Sequence, residues 1–276
     1  MRKHFTIILA LATILLCSCN KNAPENNFLP APAMAEYAQK ITLDTPIDDV
    51  AWIEFTEGGK YILAKERTVG TKANDSEYEY FTGSFIVQNG VYILDNYGTI
   101  SLGENKITIE PYDGEPVEVT VTVTPQMAAT DFITTIARTW KVDNIRLNLE
   151  YHGSSINITK PGCNFQELMG ELKKNGMNVN PESWAGFVVA DVVLTKSQTF
   201  MIEFTERDAV IGTFSANDSG SFNYSITITN GNEEFSGTAS GQITLDNGSM
   251  VIQMDITVKS GDKTKSGNIV MFLSEP

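Results

Sequence analysis

The sequence predicts an all-β protein made of two antiparallel β modules in succession. Three observations carry that expectation. Apolar and polar residues alternate at period two, as in Val117, Val119, Val121 and Val123 or Phe222, Tyr224, Ile226 and Ile228, which gives a strand one buried and one solvated face. Asn-Gly pairs at 89–90, 230–231 and 247–248 separate such runs, where two-residue hairpin turns demand positive φ. Segments of the first half also recur in order in the second. Ile53-Glu54-Phe55-Thr56-Glu57 returns as Ile202-Glu203-Phe204-Thr205-Glu206, Gly83-Ser84-Phe85 as Gly220-Ser221-Phe222, residues 98–102 as 241–245, and 106–110 as 250–254.

The chain opens differently. Arg2 and Lys3 precede an apolar run over residues 5–16, and Leu16-Cys17-Ser18-Cys19 closes it. The run is shorter than the roughly 20 residues a membrane-crossing helix needs, so residues 1–18 read as a cleaved signal peptide. Its end resembles the lipobox of bacterial lipoproteins. That resemblance implies lipidation of Cys19, cleavage before it, and a membrane anchor made of acyl chains. Asn20, rather than an aspartate, follows the cysteine and resembles the signal for the outer membrane, on its periplasmic face or at the cell surface. Residues 19–34, rich in Asn and Pro, read as the lipidated terminus and a flexible tether reaching about 20 Å.

Loss of residues 1–18 removes Arg2, Lys3 and no acid, which takes the formal charge from −14 to −16. Such a chain repels phosphate backbones and anionic headgroups, so nucleic acid is excluded as a partner and attachment falls to the lipid. With Cys17 cleaved and Cys19 acylated, Cys163 is the one remaining thiol and no internal disulfide forms. Stability must come from packing, for which 42% apolar residues suffice.

The first module covers residues 35–125 and the second 126–276, with the boundary near Pro125. Two helical segments interrupt the strands. Residues 130–138 place Phe132, Ile133, Ile136 and Ala137 on one face at the junction, and residues 164–174 do the same with Phe165, Leu168, Met169 and Leu172. Asn164 and Glu167 stand at capping-box spacing, Cys163 is placed to staple onto Leu168, and Gly176 is a stop.

A short helix, then Trp140-Lys141-Val142 opening a strand, then a meander to the end, is similar to the lipocalin-like domains of Gram-negative envelope lipoproteins. Arg138 stands where that family usually has Gly, two positions before the Trp, and its later Thr-Asp-Tyr signature is absent. The resemblance covers residues 128–276 best and extends weakly to 50–124. It implies an up-and-down β-barrel with one inserted or flanking helix. Trp140 would plug one end, and the interior either binds a small apolar molecule or is filled by side chains.

The chemistry of catalysis is sparse. His4 leaves with the signal, so His152 alone serves any histidine-based mechanism, and its neighbours Ser154 and Ser155 make no triad with it. No phosphate loop, Cys-x-x-Cys or His-Glu-x-x-His occurs, so neither cofactor nor metal is expected. The acids at 48–49, 54, 57, 77, 79, 203 and 206 read as solvated faces rather than as a glycosidase pair. Tyr78 and Tyr80 fall on the face opposite Phe85 and Val87, where they are candidates to stack on a sugar or a partner. With Trp140 they are the candidate contact residues. The expectation is a non-enzymatic, lipid-anchored envelope protein binding a small apolar ligand, a glycan or a protein. The alternative is a scaffold or inhibitor with packed barrels that engages a protein partner, and a carboxylate-dependent hydrolase ranks last.

Overall fold

The computed structural model describes residues 31–47, 49–66, 78–122, 130–151, 153–206, 209–230, 233–246, 248–260 and 263–276. Cys19 with the residues before it, Asp48, Glu77, the junction at Pro125 and His152 lie outside the described residues. The described chain is almost all strand, in two closed antiparallel barrels.

Eight strands in chain order build the first barrel: β1 (Gln39–Ile47), β2 (Val50–Phe55), β3 (Lys60–Glu66), β4 (Tyr78–Gln88), β5 (Val91–Leu94), β6 (Gly98–Leu102), β7 (Lys106–Pro111) and β8 (Val117–Thr122). Each pairs with the next, and β8 returns to β1 through Thr42↔Thr122 and Leu43↔Val121. Closure leaves no free sheet edge. Alternation sends Ile41, Ile53, Phe55, Tyr61, Leu63 and Phe85 inward, all buried, and Phe55 meets Phe85 edge-on and Tyr92 at a tilt, at ring distances of 5.0 and 4.1 Å. The β4–β5 turn is the two-residue type that Asn-Gly favours, with φ of 52° at Asn89 and 79° at Gly90.

The second barrel runs through β9 (Thr139–Tyr151), β10 (Ser154–Pro161), β11 (Val189–Leu194), β12 (Thr199–Phe204), β13 (Val210–Ala216), β14 (Ser221–Asn230), β15 (Glu233–Asp246), β16 (Ser249–Ser260) and β17 (Lys263–Ser274). One edge of β9 pairs with β17 and closes the ring. Its other edge holds β11 at residues 139–141 and β10 at residues 144–151. β10 and β11 therefore lie in line, as one strand broken by an excursion. Two hydrogen bonds pin the ends of the break, from Val189 N–H to Cys163 O (2.9 Å) and from Phe165 N–H to Phe187 O (3.0 Å). The excursion carries α2 (Phe165–Lys174) and a 3-10 turn, Pro181–Trp184. Asn164 caps α2 by accepting from the Glu167 amide. Phe165, Leu168, Met169 and Leu172 join the barrel core, as the helical spacing predicts.

A helix precedes each barrel and plugs its end: a 3-10 helix, Ala31–Tyr37, before β1, and α1 (Asp131–Ile136) before β9. The first begins inside the stretch read as tether, because Met34 is drawn into the barrel core, 2% exposed. Met34, Tyr37 and Ile41 match Ile133, Ile136 and Trp140 at the same spacing and serve the same cores.

Turn geometry extends the match. In the β2–β3 turn, Thr56 accepts from the Lys60 amide through Oγ1, Gly59 N–H donates to Thr56 O, and Gly59 O accepts from Phe85 N–H. The β11–β12 turn repeats this with Thr195, Thr199, Gln198 and Phe214. β2–β3 is thus equivalent to β11–β12, which corrects the alignment that the identical pentapeptides suggest. Ile53-Glu54-Phe55 lies on β2 but Ile202-Glu203-Phe204 on β12, one strand out of step, and the Gly-Ser-Phe match errs in the same way. Residues 98–102 and 241–245 do fall on equivalent strands, β6 and β15. Strand-like segments draw on few residue types, so short identities slip by a strand while turn hydrogen bonds do not.

The barrels pack side by side through these equivalent hairpins. Ile62 of β3 meets Val193 and Met201, its own counterpart, with Trp52, Tyr80 and Ile211 around them. Lys60 pairs with Glu203 at 3.1 Å. Lys40 lies 4.0 Å from the centre of the Trp52 ring, pairs with Glu54 at 3.6 Å and donates to Thr199 Oγ1 across the contact. The Lys196 amide donates to Glu57 Oε1, joining two residues that are themselves equivalent. Like meets like, as in an isologous dimer made within one chain.

Candidate functional site

Among the described residues, the interior of the second barrel is packed. Between Phe200, Phe214, Phe222, Tyr224, Ile243 and Met254 lies an apolar void of about 40 Å³, against the several hundred Å³ of a small-molecule site. A wholly apolar void of that size stays dry and holds no lipid-like ligand. Trp140 closes the end of this core at 1% exposure, with its indole N–H donated to Ile136 O at 2.9 Å. The residue named as a candidate contact is sealed inside, held by the helix that precedes it.

Tyr78 and Tyr80 are half-buried on the outer face of the first barrel. They group with Trp52 at ring distances of 6.0 to 6.4 Å, and Tyr80 packs onto the apolar contact between barrels. Tyr80 thus faces the second barrel, with Tyr78 beside it. Cys163 is buried against the core, and burial pushes its thiol up to about 12. It is an apolar staple and a poor nucleophile.

A larger cavity lies between the barrels. A cleft of about 670 Å³ opens where the two plugging helices approach the β2–β3 and β11–β12 turns. Ala35 and its counterpart Thr134 line it, as do Glu57 and its counterpart Lys196, so the cleft straddles the approximate two-fold relation. Lys60, Arg138, Lys141, Asp191 and Glu275 complete its charged wall. Arg138 is paired with Glu275 and Lys60 with Glu203.

Glu57 is the unusual group. It is 7% exposed, its Oε1 accepts from the Lys196 amide, and its Oε2 has no hydrogen-bond partner. Burial raises its carboxyl to about 7, against the lowering effect of the amide bonds and the Lys196 charge, with a small further rise from Glu54. The Thr139 Oγ1, in the same wall, is likewise buried without a partner. Glu54 is 1% exposed and faces Lys40. These acids were expected on solvated faces; the second barrel covers them, and that expectation is overturned. A signal for it exists in Tyr61-Ile62-Leu63-Ala64 and Val192-Val193-Leu194, unbroken apolar runs of strands buried on both faces.

Comparison with known proteins finds no match among protein-family models, curated proteins or solved structures.

Proposed function

We propose that this chain is a non-enzymatic, lipid-anchored binding protein of the bacterial cell envelope, tethered through Cys19 to the outer membrane, with its ligand held between the barrels. The observation that carries the reading is the contrast of cavities: about 40 Å³ within the second barrel and about 670 Å³ in a charged inter-barrel cleft that contains an unsatisfied buried carboxyl. Ligand sites favour such boundaries between folded units. The ligand is accordingly polar rather than apolar. The Leu16-Cys17-Ser18-Cys19 motif supports the anchor.

The packed barrel interior also favours the second reading, a scaffold that engages a protein. The hydrolase reading has one of its two requirements, a carboxyl raised to about 7 in a cleft, but Glu54 is turned to Lys40 and does not line that cleft.

Native mass spectrometry of the protein purified from its own envelope tests the binding reading. A retained small polar molecule that Thr134→Trp expels is the expected result, and a molecule retained equally by that variant refutes the cleft. For the anchor, Cys19→Ala should move the protein out of the detergent phase, and unchanged membrane retention would refute lipidation.

A further inference from the structure

We infer that the cleft takes a short zwitterionic peptide, its free ammonium at Glu57 and its carboxylate at Lys196 and Lys141. This rests on the cleft being the binding site and names what occupies it. The first ground is the orphaned acceptor. Glu57 lines the cleft, and its Oε2 is buried without a hydrogen bond; a buried polar atom left unpaired is costly unless a donor reaches it. Thr139, in the same wall, likewise buries its Oγ1 without a partner.

The second ground is charge. The wall holds Lys60, Arg138, Lys141 and Lys196 against Glu57, Asp191 and Glu275, so both signs line it. A wall of mixed sign offers partners to both ends of a zwitterion. Arg138 and Lys60 are already committed to Glu275 and Glu203, whereas among the described residues Lys141, Lys196 and Asp191 enter no side-chain ion pair. The uncommitted charges thus comprise two cations for a carboxylate and, with Glu57, two acids for an ammonium. The third ground is what the wall lacks. None of the described residues that line it is aromatic, so these offer no platform for a sugar ring or a nucleobase.

Peptide binding should depend on pH. Ammonium capture needs the ionised form of Glu57, whose charged surroundings are Glu54 on the strand before it, Lys196 on the facing turn, and Lys60, Arg138, Lys141, Asp191 and Glu275 around the wall. Affinity should fall about tenfold per pH unit below 7, as that carboxyl takes up its proton.

The test is isothermal titration of the intact protein with trialanine, N-acetyl-trialanine and trialanine amide. Trialanine should bind, and each blocked peptide should bind at least about tenfold more weakly. Glu57→Gln should weaken trialanine about as much as N-acetylation does, with no further loss when the two are combined. Equal binding of blocked and free peptides, or full retention in Glu57→Gln, overturns the assignment. Binding of trigalacturonate in place of trialanine, lost in Thr134→Trp, overturns the peptide while leaving the cleft as the site. Trialanine binding that survives Thr134→Trp overturns both.

Discussion

Replacing Glu57 by Gln should stabilise the protein at neutral and alkaline pH. The carboxyl titrates near 4.5 when unfolded and at about 7 in the fold, because burial penalises its charged form. Between those values the folded state keeps a proton that the unfolded state releases, so stability falls as pH rises through the window, and the full cost persists above 7. A shift of this size corresponds to about 3 kcal/mol. Gln resembles the protonated carboxyl in shape and retains an oxygen for the Lys196 amide. The difference in unfolding free energy between Glu57→Gln and the native chain should be near zero at pH 4.5 and grow to about 3 kcal/mol in favour of the variant by pH 8. Urea unfolding followed by the fluorescence of Trp52, Trp140 and Trp184 across that range measures it. If the barrels unfold in separate steps, the difference belongs to the step that opens their contact. A difference flat with pH, or a variant less stable at pH 8, would refute the assignment of a buried, proton-retaining carboxyl.

Three further outcomes are expected. Gln198 holds φ of 61° in the turn where its counterpart Gly59 has 76°, so Gln198→Gly should stabilise by about 0.5 kcal/mol after the added freedom of the unfolded chain is deducted; a lower melting temperature would contradict this. Cys163, with its thiol pushed up to about 12, should resist a thiol reagent at pH 8 and react only upon unfolding; labelling of native protein at the rate of a free thiol is the contrary result. Met201→Asp would place a carboxylate against Ile62 and Val193, both fully buried, and should destabilise the barrel contact by several kcal/mol. Limited proteolysis should then cut between the barrels, and native-like resistance would show that the contact does not hold them together.

Much of the strand content was legible because alternation is a local property: a residue's neighbours two positions away reveal whether a strand has one wet face. The α2 cap was legible for the same reason, since Asn164, Glu167 and Leu168 act within one helical turn. The repeat was legible as a fact but not in register, because Ile-Glu-Phe suits any strand with one polar outward position. Glu57 was not legible. Its Thr-Glu-Gly-Gly setting reads as an exposed turn, and only the arrival of the Lys196 turn from 139 positions away buries it.

The sequence by itself determined the composition of each barrel: which residues alternate inward, where chains turn and where a helix is capped. Tertiary structure decided that the described core of the second barrel is packed rather than hollow, and that equivalent hairpins of the two barrels meet. It also decided that a charged cleft opens where they do. The reason is physical. Periodicity records what one segment asks of its surroundings, whereas a cavity volume and a raised carboxyl are sums over distant segments whose approach no local pattern encodes.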